Sequence, residues 1–130
     1  SHRAYTVRGE LDVGALRRAC DGLVERHSVL RTTFALDTDE PVQTVRRAAP
    51  MPFEFVDLAS EDRTTQAALL DRALQAAARR PFDLGAGPVA RTLLVRLAPD
   101  EHVLSIALHH ITIDGWSMRL LSRDLSALYA

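Results

Sequence analysis

The sequence contains no lysine, one cysteine and few aromatic residues. Its sixteen basic residues are all arginine and stand against seventeen acidic residues, which gives a formal net charge of −1 at pH 7. Because a nucleic-acid-binding domain needs an excess of positive charge, we expect no nucleic acid partner. The single Cys20 excludes an internal disulfide and any zinc module built from several cysteines. It is typical of a reducing compartment, so we expect a cytoplasmic protein.

Long hydrophobic runs are also missing. The longest, residues 103–108, is interrupted by Ser105 and is far shorter than the roughly 20 residues that cross a bilayer, so we expect no membrane contact. The first residues include neither a methionine nor the apolar stretch of a signal peptide. We therefore expect the chain to begin within a larger polypeptide or to follow a cleaved tag. A length of 130 residues with 47% hydrophobic and 25% charged residues is typical of one folded domain.

Helical periodicity predicts three helices. Apolar residues recur at helical spacing behind Asp12, a good N-cap residue, down to about residue 27. A second helix is predicted from about residue 61 to 79, with Ser60 as its cap and Pro81 just beyond its end. Its apolar face is predicted to comprise Leu70, Leu74, Ala77 and Ala78. A third helix is predicted from about residue 116 to 129.

Extended segments alternate with these helices. Strands are predicted at residues 5–8, 30–36, 42–47, 53–56, 89–97 and 102–108, with a hairpin turn at 37–41. The strand at 102–108 is apolar on both faces and is therefore expected to be central in its sheet. Helices and strands in this mixed order favour an α+β fold, with helices packed on a mixed, largely antiparallel sheet.

One segment, residues 108–117, concentrates residues capable of chemistry. It contains His109, His110, Asp114 and Gly115 where the buried strand is predicted to meet the last helix. A histidine at the exit of a rigid strand suits proton transfer near neutral pH, and His110 is the candidate. Since neighbouring residues on an extended chain point to opposite faces, we expect one imidazole to face a cleft and the other to face the packing. Asp114 is close enough to orient an imidazole or to pair with an arginine.

Other reactive side chains have simpler interpretations. Diverging histidines make a metal site improbable, since metal ligands must converge. Cys20 lies on the apolar stripe of the first helix and is expected to be a buried, inert thiol. Trp116 is expected to pack at a helix start, and Ser117 to cap that helix rather than act as a nucleophile.

Two spaced motifs carry a family resemblance. Residues 109–117, HHITIDGWS, resemble the HHxxxDG signature of the condensation domains of nonribosomal peptide synthetases, which are relatives of chloramphenicol acetyltransferase. Residues 26–34, RHSVLRTTF, are similar to the family's RHExLRTxF and lie about eighty residues earlier. Ser28 stands where glutamate is usual. Residues 8–16 and 80–88 also resemble the family's connecting segments, so the resemblance covers nearly the whole chain.

The resemblance implies a role for each matching position. His110 acts on the amino nucleophile or the tetrahedral intermediate while an amide bond forms between a thioester donor and an aminoacyl acceptor, both held on carrier proteins. Asp114 is structural and pairs with Arg26 or Arg31. Gly115 leaves room for the pantetheine arm, as a residue without a Cβ can. His109 packs and hydrogen-bonds.

The resemblance also implies an architecture and partners. Residues 1–130 match the N-terminal lobe of a chloramphenicol acetyltransferase-like fold, with the second lobe absent, so the isolated lobe is expected to be inactive and to self-associate. No cofactor is expected to bind directly, since phosphopantetheine on carrier proteins holds the substrates. The two histidines and Gly115 favour peptide-bond formation over heterocyclisation or epimerisation, in the biosynthesis of an antibiotic or siderophore.

Two alternatives remain open. The first is a non-catalytic lobe that docks or positions carrier proteins, in which the histidines perform no chemistry. The second is a stand-alone acyltransferase of the HxxxD superfamily that forms an ester rather than an amide.

Overall fold

A computed structural model describes residues 2–35, 39–112 and 118–130. The strands are β1 (His2–Arg8), β2 (Thr32–Ala35), β3 (Val42–Val45), β4 (Phe53–Asp57), β5 (Ala90–Ala98) and β6 (Glu101–Leu108). The helices are α1 (Val13–Arg26), α2 (Arg63–Arg79) and α3 (Met118–Tyr129), with short 3-10 turns at Ser28–Arg31 and His110–Thr112. In the described part of the chain, no helix is both long and apolar enough to cross a membrane.

The main sheet has the strand order β1-β6-β5-β4. β6 pairs antiparallel with β1 and β5, whereas β4 pairs parallel with β5. The prediction of a central, doubly buried β6 is confirmed, because seven of its eight residues are buried and strands flank it on both sides. Helices against a mixed, largely antiparallel sheet confirm the predicted α+β class.

One face of the sheet is covered by α1 and α3. Alternate residues of β5 and β6 meet the buried stripes of these two helices and form the larger core, which includes Leu16, Cys20, Leu23, Leu94, Leu104, Ile106, Leu108, Leu121 and Leu125. A fully buried leucine contributes about 1.5–3 kcal/mol relative to an exposed one. This face therefore supplies most of the hydrophobic stabilisation.

Polar contacts fix α1 and α3 at their ends. The predicted cap is confirmed, since the Asp12 carboxylate accepts a hydrogen bond from the Ala15 amide at 3.0 Å. The Asp12 amide donates to the Tyr129 hydroxyl at 3.1 Å, which ties the start of α1 to the end of α3. His27, at the end of α1, lies 2.7 Å from the Asp124 carboxylate of α3.

Among the described elements, α2 covers the other face of the sheet. The prediction of Ser60 as its cap is wrong, because a turn after β4 occupies that stretch and the Glu61 amide donates to the Leu58 carbonyl. The cap is Asp62, whose carboxylate accepts from the Thr65 amide at 2.8 Å. The apolar face of α2 comprises Leu69, Leu70, Ala73, Leu74 and Ala77. The prediction that Ala78 belongs to this face is wrong, because Ala78 is exposed.

The predicted hairpin is confirmed as the antiparallel pair of β2 and β3. It is shorter than predicted, because the chain at Ser28–Arg31 forms a 3-10 turn before β2 begins. The tip of its turn and the first two predicted residues of α3 lie outside the described residues.

Candidate active site

The main chain is held by several hydrogen bonds where β6 ends. The His109 amide donates to the Val89 carbonyl at 2.9 Å, which continues the sheet one residue beyond the strand. The His109 carbonyl accepts from both the amide and the hydroxyl of Thr112, at 2.9 and 2.7 Å. Thr112 is fully buried. These bonds hold the chain in a 3-10 turn that begins at His110.

The turn brings the two imidazoles together. The rings of His109 and His110 are stacked, with centroids 4.4 Å apart and planes inclined by 26°. The expectation that they face opposite directions is therefore wrong, because His110 leaves the extended conformation on which that argument depended. The argument against a metal site that relied on diverging imidazoles therefore does not hold. Within the described ranges, however, no three His, Cys, Asp or Glu side chains converge in a group able to hold one.

The two histidines differ in environment. His109 is half-buried, whereas His110 is exposed. Burial, and then the neighbouring charge of His110, lower the pKa of His109 below its ordinary value. His109 is therefore a packed imidazole whose neutral form is favoured by its surroundings. His110 presents its ring to solvent from a fixed main chain.

An aromatic residue and an arginine lie behind His109. The Phe82 ring meets the His109 ring nearly perpendicularly, at 79° with centroids 6.0 Å apart. The Arg91 guanidinium lies over the Phe82 ring, 4.0 Å from its centroid. Sequence reasoning missed both residues. The available signal was an arginine at a position of β5 that shares a face with Leu93 and Val95.

The two candidate arginines of the second motif, Arg26 and Arg31, have different environments. Arg31 is half-buried, and its guanidinium donates to the carbonyls of Val24 and Arg46 at 3.2 and 2.9 Å. Arg26 is exposed on the last turn of α1. Asp114, Gly115, Trp116 and Ser117 lie outside the described residues, so the pairing of Asp114 with either arginine stays a prediction.

A cleft of about 440 Å³ lies between α2 and the sheet. Its lining includes Ala77 of α2, Arg80 just after that helix, Arg91 of β5 and Ser105 of β6. Neither imidazole is among its lining residues, although Arg91, which contacts Phe82, is. α2 has no buried residue whereas α1 has five, so α2 packs less closely on its face of the sheet than α1 does on the other.

Cys20 is buried, as predicted. Burial raises the pKa of its thiol to about 11, and the sulfur lies 3.7 Å from the Thr92 hydroxyl. A protonated thiol in this core is a packing residue rather than a nucleophile.

Comparison with known proteins agrees with the motifs. The family model of the condensation domain matches residues 2–130. The chain is 43% identical over 121 residues to chondramide synthase cmdD of Chondromyces crocatus, covering 93% of this chain and 3% of that protein. It is 40% identical over 130 residues to phosphinothricin tripeptide synthetase PhsC of Streptomyces viridochromogenes, covering 95% of this chain and 12% of that protein.

A solved structure shows the same fold. The SgcC5 protein from Streptomyces globisporus matches the whole of this chain with a TM-score of 0.87 and 28% sequence identity, over 29% of its own length. The chain thus spans less than a third of that structure and a small part of the two curated relatives. Since the family model covers nearly every residue, the chain belongs to the condensation domain family.

Proposed function

We propose that this chain is the histidine-bearing lobe of a domain that forms amide bonds in nonribosomal peptide synthesis. The donor is an acyl or peptidyl thioester and the acceptor is an aminoacyl group, each held by the phosphopantetheine arm of a carrier protein. The observation that carries the proposal is the exposed imidazole of His110, fixed at the exit of β6 in a member of the condensation domain family. No cofactor bound to the chain itself is needed.

The chemistry requires one proton acceptor at the amine. The acceptor nitrogen attacks the thioester carbonyl, so a C–N bond forms, and collapse of the tetrahedral intermediate breaks the C–S bond. The nitrogen loses a proton to the His110 imidazole, and the departing thiolate takes one up. Acid–base assistance of this kind contributes about 10²–10⁴-fold to a rate.

Support for the other site residues differs. His109 is a packed neighbour that orients His110 by stacking. Arg31 is the better candidate than Arg26 to pair with Asp114, because it is half-buried and held by two carbonyls while Arg26 is exposed. Gly115 provides room for the pantetheine arm.

The short span of the chain relative to the SgcC5 structure supports a second lobe. We infer that residues 1–130 form the N-terminal lobe and that the second lobe supplies the other wall of the substrate tunnel. Because both carriers must be positioned together, the isolated lobe is expected to turn over little substrate. We expect the domain to work in the cytoplasm, in synthesis of an antibiotic or siderophore.

The isolated lobe is also expected to self-associate. Val42, Val45 and Phe55 are exposed by 49, 57 and 39%, and exposed apolar surface favours a partner. Light scattering across a concentration series should show species above 14.4 kDa. A monomer at every concentration would contradict this expectation.

The amide assay tests the function directly. Loaded donor and acceptor carriers are mixed with the two-lobe protein or with the 130-residue chain, each with and without His110→Ala. We expect product only from the two-lobe protein with His110 intact. Arg17→Met, an exposed substitution on the opposite side of the sheet that leaves both histidines intact, is the control and should retain activity.

Two other functions give different results in the same assay. A docking lobe would leave product formation unchanged in His110→Ala, which would contradict the catalytic proposal. The SgcC5 structure is a complex with (R)-(-)-1-(2-naphthyl)-1,2-ethanediol and sucrose, and the hydroxyl groups of this diol favour a hydroxyl acceptor as a second candidate. In that case an alcohol acceptor would be esterified in a His110-dependent reaction while the aminoacyl carrier would not react.

A further inference from the structure

We propose that Arg91 and Phe82 form a clamp that fixes the imidazole of His109 and, through the stacked rings, that of His110. Both clamp residues are then positioning residues for amide formation. Their place in the reaction rests on the proposed function, whereas the clamp itself rests on contacts alone.

Arg91 is anchored to the end of α2. It projects from β5 opposite Ala107 of β6, two residues before His109. One guanidinium nitrogen donates to the carbonyls of Ala77, at 2.7 Å, and Arg80. The last carbonyls of a helix lack partners within the helix and form the negative end of its dipole, so a cation is stabilised there. The anchor thus joins sheet and helix at one side chain.

Phe82 transmits this anchor to the histidines. Its ring lies beneath the Arg91 guanidinium at 4.0 Å, in the geometry of a cation–π contact. The same ring meets His109 edge to face, which is a preferred arrangement for aromatic pairs. Arg91 Nε is buried and has no hydrogen-bond partner in the part of the chain that the structure describes. The two carbonyls and the Phe82 ring therefore hold the guanidinium in place.

His109 has little freedom to move away from the clamp. Its amide and carbonyl are both bonded, to Val89 and to Thr112. Its ring packs on Phe82 and on His110. Among the described residues, the aromatic ring that His110 contacts is that of His109. The stack of Arg91, Phe82, His109 and His110 therefore ends at the exposed imidazole that the proposed reaction uses.

The clamp can be tested without activity, in the 130-residue chain. Nuclear Overhauser contacts between the His109 and His110 rings should be strong in the wild type. They should be lost in Phe82→Leu, which keeps apolar volume but no ring, and in Arg91→Met, which keeps the stem but no charge. The contacts between the two histidine rings should be retained in Phe82→Tyr, which keeps an aromatic ring at this position. Arg17→Met is the matched control, since Arg17 makes a similar contact over Phe53, at 4.8 Å.

The positioning role is tested in the two-lobe protein. We expect Phe82→Leu and Arg91→Met to lower kcat about tenfold or more with little change in KM for the aminoacyl carrier, since misplacement of a reacting group slows the chemical step. Phe82→Tyr and Arg17→Met should retain the wild-type kcat. Amide NMR spectra check that each variant is folded. If one of the two clamp variants unfolds, the other still tests the positioning role.

The outcomes separate the two proposals. If the ring contacts persist in Phe82→Leu and Arg91→Met, the clamp does not exist. If the contacts are lost and kcat is unchanged, the positioning role is wrong. If His110→Ala retains full activity, the proposed function fails, while the ring contacts still decide the clamp.

Discussion

The two faces of the sheet are built differently. Among the described residues, the face under α1 and α3 carries a core of fourteen buried residues, whereas the face under α2 carries four. No residue of α2 is buried, and a cleft lies between part of the helix and the sheet. Arg91, Phe82 and His109 lie on this looser side. We conclude that one face supplies most of the hydrophobic core, whereas the other carries the polar groups of the candidate site.

The largest expected effect is on the free energy of unfolding, and it is found by substituting one leucine on each face of the sheet. Leu23 of α1 has no exposed surface and lies in the larger core, whereas Leu74 of α2 is half-buried. Leu23→Ala should lower the free energy of unfolding by about 2–5 kcal/mol, and Leu74→Ala by less. Urea denaturation measures both. Equal losses would contradict the division between the faces.

A second comparison concerns two polar pairs between side chains. His27 and Asp124 join α1 to α3 at 2.7 Å, with side chains only 18 and 14% exposed. A hydrogen bond to a charged group contributes about 1.5–3 kcal/mol, so Asp124→Asn should cost stability of that order. Asp57→Asn breaks the more exposed pair with Arg96 and should cost less, since solvent screens it. Thermal unfolding would overturn this ranking if Asp57→Asn proved the more harmful.

Helix caps give a smaller effect. Asp12→Ala removes the cap of α1 and should cost about 1 kcal/mol in global unfolding. Asp62→Ala removes the equivalent bond in α2. Because α2 buries little, we expect its amides to exchange faster with solvent while the global midpoint changes less. Hydrogen exchange distinguishes local opening of α2 from global unfolding. A larger loss of global stability in Asp62→Ala than in Asp12→Ala would contradict the comparison.

The pH dependence is the smallest effect. His102 is only 3% exposed, and burial, then the charge of Arg96, lower its pKa below 6.5, partly opposed by Asp57. The unfolded chain therefore binds more protons, so stability is complete above about pH 6.5 and falls as the pH drops from 6.5 towards the lowered folded pKa. His102→Leu should flatten this fall without abolishing it, because His2 and His109 also have lowered pKa values. Urea midpoints at pH 7.5 and 5.5 measure the change, and an unaltered slope would contradict it.

The sequence predicted the elements whose signals are local. Asp12 and the apolar spacing behind it located α1, and the doubly apolar β6 predicted its central position. The sequence also placed the histidines at a strand exit. Asp62, rather than Ser60, caps α2 because the turn after β4 is closed by a hydrogen bond between main-chain groups of Glu61 and Leu58. Neither composition nor periodicity predicts such a hydrogen bond.

The site was less predictable than the fold. Alternation along a strand predicted that His109 and His110 diverge, but it does not say where the strand ends, and a 3-10 turn one residue later stacks the rings. Arg91 and Phe82 come together only through the crossing of β5 with the end of α2. Contacts that depend on this packing leave no periodic signal in the sequence.

The central claim is that the exposed His110, not the packed His109, carries the proton at the looser face of the sheet. The most direct test is the single-turnover rate of amide formation by the two-lobe protein in His110→Gln and His109→Gln. We predict that His110→Gln slows the reaction by about 100-fold or more, while His109→Gln retains a larger share of the rate. A His110→Gln protein as fast as the wild type, or a His109→Gln protein that is the slower of the two, would contradict the account.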